Sequence, residues 1–247
     1  MNILVLMAGK ARIGDADSIY PVYLMEFEGK LVIERLVESF KPFGDDVQLI
    51  FAIRQEDAER SHLDAVISLL VPDAKIIEVQ GETDGAACTA LLAIDHINTD
   101  DPLVVVNADE IIDVDYAAVL KDFQKRNLDA GVIVFPSVHP RYSFVKLDDD
   151  GNVIQAAEKV PISTHATAGF YYYRHGAEFV AMTMEMIRKE ARVNDKFYIC
   201  PVFNELILAQ KRIGVFPIEA MQYHPLKSDH QLQQFGLDIE DHRRHEI

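Results

Sequence analysis

Five short apolar runs punctuate the first 136 residues: "NILVL", "VQLIFAI", "AKIIEV", "PLVVVNAD" and "AGVIVFP". Between them lie "GKLVIERLVESF", "QEDAERSHLDAVISLL", "DGAACTALLAIDHI" and "DYAAVLKDFQKRN". The first of these intervening segments carries Leu31, Ile33, Leu36, Val37 and Phe40 at mostly helical spacing. A strand with no polar alternation must be buried on both faces, and crossover helices are what cover both faces of a sheet. The alternation therefore predicts an α/β chain built on a largely parallel sheet. "QEDAERSHLDAVISLL" reads as one helix ending before Pro72, and "DGAACTALLAIDHI" as another.

The pattern changes after Pro136. "YSFVKL" and "NVIQAAEK" flank "DDDG", whose Asp150-Gly151 suits a tight hairpin turn. "ATAGFYYYR" is a further strand, followed by the helical segments "AEFVAMTMEMIRKEA" and "PVFNELILAQKR", the strand "GVFPIEA" and a last helix in "SDHQLQQFGLDI". No linker interrupts the series, so residues 1–247 read as one domain. Its first half, 1–136, is of nucleotide-binding α/β type, and 137–247 is an antiparallel addition that forms the far wall of a cleft.

Charge narrows the partners. The 247 residues carry a formal net charge of −16, which repels nucleic acid and anionic membranes and leaves an anionic substrate dependent on local cations or a metal. Cys88 and Cys200 make no disulfide framework, no run reaches the roughly 18 apolar residues of a membrane span, and "MNILVLMAGKAR" lacks the form of a signal peptide. A cytoplasmic chain is expected. Oligomeric state is open, a homo-oligomer included.

In an open parallel sheet, ligands bind at the carboxyl ends of the strands. Four constellations fall there. After the first strand, Ala8 and Gly9 allow close backbone approach, and Lys10 and Arg12 supply charge for phosphate oxygens, although an ordinary βα turn has the same composition. Asp109 ends the most buried strand, with Glu110, Asp113 and Asp115 following. It reads as a Mg²⁺ ligand in preference to the alternative, a cap of the next helix, because that helix starts nearer Asp115. Gly81 and Gly85 bracket a loop that enters a helix, suited to a base edge or a phosphate, with Asp84 as a plain cap the alternative. Glu158 and Lys159 end a strand of the second half, where Lys159 reaches toward a second phosphate or merely edges the solvent.

In this order the four features resemble a family: the nucleotidyltransferases that make nucleotide-activated sugars and related headgroups, the nucleoside-diphosphate-sugar pyrophosphorylases. Ala8-Gly9 and Arg12 match its first motif, and "EGKLVIERL" its Gly-Lys helix. "VVVNAD" is similar to its metal-binding strand, "GETDGAACTALL" to its base-contacting loop, and "YSFVKLDDDGNVIQAAEKVPISTHATAGFYYYRHG" to its hairpin, Glu-Lys-Pro motif and Ala-Gly strand. The resemblance implies a GT-A-like Rossmann variant with a mixed, mostly parallel sheet, whose second half binds the acceptor. It also implies a Mg²⁺-dependent attack of a phosphorylated small-molecule acceptor on the α-phosphate of a nucleoside triphosphate, with release of pyrophosphate. Nucleotide contacts then fall to Ala8, Gly9, Gly85 and Asn107, and acceptor contacts to Glu158, Lys159 and Gly169. Metal binding falls to Asp109, and Arg12 faces the leaving pyrophosphate.

The chain also departs from that pattern. Lys10 and Ala11 stand where the first motif has further glycines, and Val22 stands where the family has the lysine that steadies the α-phosphate. Lys10 is the substitute cation nearest in sequence. The second metal-binding Asp falls near "QYHPLKSDHQL", where His224 precedes Pro225 and no Asp occurs before Asp229. His224 becomes the second metal candidate. Two rival readings share the fold: a GT-A-type glycosyltransferase holding a nucleoside diphosphate, and an inactive nucleotide-binding or regulatory homologue.

Overall fold

The computed structural model describes residues 1–9, 12–13, 20–44 and 46–236. Its centre is β1 (Asn2–Met7), buried along its whole length. Successive side chains of a strand point to opposite faces. Ile3, Val5 and Met7 accordingly join one hydrophobic layer, and Leu4 and Leu6 the other. β2 (Gln48–Arg54) and β4 (Leu103–Asn107) flank β1, both parallel to it, and β3 (Lys75–Val79) pairs with β2, also parallel. The expected parallel block is thus present.

The fifth apolar run does not extend that block directly. β6 (Ala130–Pro136) is separated from β4 by β9 (His165–Tyr173), which runs antiparallel to both, with Phe170 opposite Val106 and Ala130 opposite Tyr173. A strand from the second half is therefore threaded into the first, and β9 is buried at all but its first residue, consistent with its run of three tyrosines. β7 (Ser143–Leu147) and β8 (Val153–Glu158) form the expected hairpin. Its turn is set by the Asp148 side chain, which accepts from the backbone N–H of Asp150 and of Asn152, and by Gly151 at φ +79°. β10 (Ile213–Pro217) adds in parallel to β6, and among the described residues nine strands form one sheet. A separate ribbon pairs β5 (Glu110–Ile112) with β11 (Tyr223–Pro225).

Helices α1 (Val32–Phe40) and α6 (Tyr116–Lys125) cover one face of the sheet. Asp115 caps α6 by accepting from the Ala117 N–H at 2.9 Å. Two expected helices are each broken. "QEDAERSHLDAVISLL" divides into α2 (Gln55–Ser61) and α3 (Leu63–Leu70) at His62, whose φ of +53° ends the first ladder in the left-handed region. "DGAACTALLAIDHI" divides into α4 (Ala86–Leu91) and α5 (Ile94–Ile97), because Leu92 and Ala93 donate to carbonyls three residues back and tighten the turn. α7 (Gly176–Arg188) and α8 (Val202–Leu208) complete the second face. Residues 229–236 are helical. Among the described residues, no helix is long and apolar enough to cross a membrane.

Candidate active site

Parallel strands bring their carboxyl ends to one edge, and two adjoining cavities open there. One, of about 530 Å³, lies beside Ala8, Gly9, Gly81 and Gly85. The other, of about 400 Å³, lies beside Asn107, Asp109, Glu110, Glu158 and Gly169. They share Leu6, Gly9, Ala86, Lys159 and Tyr198. Lys159 therefore stands at the partition, its backbone at φ +57° and its Nζ donating to Tyr198 Oη at 2.9 Å while lying 4.7 Å from that ring's centroid. In a chain of net charge −16, five cations among the described residues line these two cavities: Arg54, Arg141, Lys159, Lys196 and Lys227.

The wall of the larger cavity is held by a clasp between two loops. Phe197 N–H donates to Asp84 O at 2.7 Å, and Ala87 N–H returns a bond to Phe197 O at 3.1 Å. Arg192 pairs with Asp84 at 3.0 Å and lies over the Phe197 ring. Gly85 is required by this contact: at φ +118°, a Cβ there would meet Phe197 O at 2.3 Å and Phe197 N at 2.7 Å. The N–H groups of Ala87 and Thr89 are both engaged within the protein, Thr89 donating to Gly85 O. The loop borders the cavity as expected, but Gly85 has a packing role that its sequence context did not reveal.

The floor of the smaller cavity joins four segments. Gly169 N–H donates to Glu110 Oε1, and Tyr223 Oη donates to Glu110 Oε2 at 2.7 Å. Both carboxylate oxygens of this buried residue are thereby engaged. Burial pushes the Glu110 carboxyl above its ordinary range, against the opposing pull of Lys227, while the neighbouring Asp109 adds to the rise. A Cβ on Gly169 would lie 2.0 Å from Glu110 Oε1 and 2.3 Å from Asn107 Nδ2, so only glycine lets these two side chains pass. Glu158 is also buried, accepts from Ser143 Oγ, and is raised mainly by desolvation.

Asp109 has a partner that the sequence alone did not indicate. The ribbon of β5 and β11 sets Pro225 opposite Glu110, and Leu226 N–H donates to Asp109 O at 2.8 Å. Lys227 follows, and its Nζ lies 3.3 Å from Asp109 Oδ1 and 3.7 Å from Glu110 Oε2. Desolvation works against the ammonium, yet Asp109 first and Glu110 second outweigh it and raise Lys227 above an ordinary lysine. The available signal was position: Lys227 stands three residues beyond His224, inside the segment where the second metal ligand is expected.

The other expected residues divide. Asn107, Asp109, Glu158, Lys159 and Gly169 come together around one cavity, and Ala8, Gly9 and Gly85 around its neighbour. His224 does not join Asp109. It lines a third cavity, with Phe135, Tyr142 and His230, and its ring lies 5.4 Å from that of Phe235. Arg12 belongs to a two-residue strand that pairs it with Pro21, and Lys10 lies outside the described residues. Val22, at the position of the missing lysine, is fully buried in the core.

A family model for nucleotidyl transferases matches residues 30–207, more than two thirds of the chain. The chain belongs to that family. The match begins after the opening loop and ends before β10, so Ala8, Gly9, Lys10, Arg12 and His224 lie outside it, as does Lys227. Among solved structures, the nucleoside-diphosphate-sugar pyrophosphorylase of Vibrio cholerae RC9 superposes with a TM-score of 0.79 at 22% identity, over 95% of this chain and 99% of that one. A UDP-glucose pyrophosphorylase complexed with UDP-glucose superposes with a TM-score of 0.75 at 15% identity, over 97% and 98% of the two chains. At these identities the likeness is one of fold, and it is the mixed, mostly parallel fold expected from the sequence.

For this nucleotidyl transferase the resemblance implies a divalent cation, and the donor set can be tested against one. A protein-held Mg²⁺ takes oxygen ligands at about 2.0–2.1 Å. Here the Asp109 carboxylate faces an ammonium, both Glu110 oxygens are engaged, and His224 lies in another cavity. Among the described residues, no group of three His, Cys, Asp or Glu is placed to hold a metal. The residues present do not fit a metal held between Asp109 and the C-terminal ribbon.

Proposed function

We propose that this nucleotidyl transferase joins a nucleoside triphosphate to a phosphorylated sugar or similar phosphomonoester and releases pyrophosphate. The observation that carries the reading is the pair of cavities meeting at Lys159 on the carboxyl edge of the sheet. Two ligands with their phosphates apposed need two adjoining sites and cations between them, and the local positive charge is what an acidic chain needs to admit either anion.

In this reading residues 1–136 serve the nucleotide and 137–247 the acceptor. The larger cavity takes the nucleoside, with its base toward the loop of Gly81 and Gly85, and the phosphates run past Ala8 and Gly9 into the junction with the smaller cavity, toward Asn107. The smaller takes the acceptor, with hydroxyl groups toward Glu158 and the Gly169 strand. An oxygen of the acceptor's phosphate attacks the α-phosphorus. A new P–O bond forms, the bond to the bridging oxygen of the β-phosphate breaks, and pyrophosphate departs with that electron pair. A phosphate dianion needs no base, so the protein's contribution is alignment and fixed charge. Lys159 steadies the acceptor's phosphate, and Lys10 and Arg12 are assigned to the triphosphate. Magnesium held by Asp109 and His224 is not part of this reading, because Lys227 already neutralises that carboxylate.

The test is a matrix of nucleoside triphosphates against hexose 1-phosphates and choline phosphate, read by pyrophosphate release. The expected result is release from at least one pair and from neither member alone. Nucleotide binding with no release from any pair would overturn the transfer reading in favour of a binding homologue. Transfer from a nucleotide sugar instead would favour the glycosyltransferase.

A further inference from the structure

Two carboxylates adjacent in sequence, on residues 109 and 110, turn toward one point at the mouth of a buried strand. That arrangement ordinarily collects a cation. The cation it meets here is covalently part of the chain. Lys227 is delivered by the ribbon of β5 and β11, and its backbone N–H is tied to Gln231 Oε1 at 2.9 Å. Its side chain is half exposed along the cavity wall. An ammonium has three donors. Asp109 Oδ1 and Glu110 Oε2 take up at most two of them, which leaves donor capacity for an anionic oxygen in the cavity. A divalent ion within bonding distance of Asp109 Oδ1 on the side of the ammonium would sit almost on Nζ, where repulsion between the two positive charges excludes it.

We infer that the Lys227 ammonium is the fixed cation of this site, standing between Asp109 and Glu110 in the place of a protein-held divalent ion. The inference rests on the reading of these cavities as a nucleotide-transfer site only for what the ammonium faces, namely ligand phosphate. Val22, at the usual lysine position, is buried in the core, and Lys227 brings a positive charge to the smaller cavity from the other end of the chain. A lysine does not dissociate, so phosphate binding here persists when free divalent ions are removed.

The experiment has two arms on the full chain. In the first, Mn²⁺ is titrated without nucleotide and free Mn²⁺ is followed by electron paramagnetic resonance. Wild type should bind no stoichiometric Mn²⁺, whereas Lys227→Asp, and more weakly Lys227→Asn, should bind one Mn²⁺ at least tenfold more tightly. Adding Asp109→Asn should abolish the gain. In the second, nucleoside triphosphates are titrated in EDTA, with folding checked by circular dichroism. Wild type should retain binding, and Lys227→Met should weaken it at least tenfold. One Mn²⁺ per wild-type chain, lost in Asp109→Asn, would overturn the inference, as would a folded Lys227→Met that binds triphosphate in EDTA like wild type. If no triphosphate binds wild type at all, the transfer reading fails, while the Mn²⁺ arm still decides what occupies the space between Asp109 and Glu110.

Discussion

Replacing Gly169 by alanine adds one methyl group at the most crowded point of the candidate site. The added Cβ would lie 2.0 Å from Glu110 Oε1, 2.3 Å from Asn107 Nδ2 and 2.7 Å from Asn107 Cβ. The first two are side-chain ends, but neither moves freely. Glu110 is buried, and its other oxygen is bonded to Tyr223 at 2.7 Å, so displacing it disturbs both bonds at once. Overpacking a core position costs about 1–3 kcal/mol. A lost hydrogen bond to a charged group adds about 1.5–3 kcal/mol. The sum is on the order of 2.5–6 kcal/mol, a large part of a typical stability of about 5–15 kcal/mol. At roughly 2–4 °C per kcal/mol for a chain of this size, the melting temperature should fall by about 5–24 °C. Differential scanning calorimetry checks it. A shift under about 2 °C would show that Glu110 and Asn107 yield without cost, and would refute the tight floor described above.

Other consequences follow from the same geometry. Gly85→Ala combines a forbidden φ with a clash against Phe197 backbone, and should cost on the order of 3 kcal/mol by chemical denaturation; an unchanged midpoint would remove the clasp from the account. Lys159→Ala should raise the Michaelis constant for the phosphorylated acceptor while leaving nucleotide affinity nearly intact, with a loss of about 2–4 kcal/mol in steady-state kinetics; equal losses for both ligands would move Lys159 off the partition. For Glu158, burial raises the folded-state carboxyl above its unfolded value. The folded protein then holds this proton more tightly, so stability falls as pH rises from about 4.3 through the raised value. Glu158→Gln removes that loss, and urea unfolding at pH 4.5 and 7 should show the variant gaining on wild type by up to about 1.4 kcal/mol for every tenfold by which folding tightens the proton's binding; a pH-independent difference would contradict the assignment.

The inner parallel strands were legible because they are apolar on both faces, as the fully buried "NILVL" illustrates. The position of β9 between β4 and β6 was not, because an apolar run does not say which neighbour it takes. The break at His62 was equally hidden: a left-handed residue without glycine leaves the helical spacing of "QEDAERSHLDAVISLL" undisturbed. The site was legible where its residues sit beside strand ends, as Asn107, Asp109 and Glu158 do. Lys227 was illegible because its partners lie more than a hundred residues away and are reached only through the ribbon of β5 and β11. Glycine roles were half legible. Gly85 and Gly169 were expected near ligands, and the structure adds that each is also demanded by a packed neighbour.

Nucleotidyl transfer between two ligands held side by side, as proposed, gives each phosphorus of the triphosphate its own fate. It is tested most directly by running the reaction with nucleoside triphosphate labelled in turn at the α- and the γ-phosphate, alongside a phosphorylated acceptor. The α-label should appear in a nucleotide-linked product and the γ-label in pyrophosphate, and neither should move without the acceptor. Release of γ-label as inorganic phosphate, or an α-label that never leaves the triphosphate for a product containing the acceptor, would contradict it.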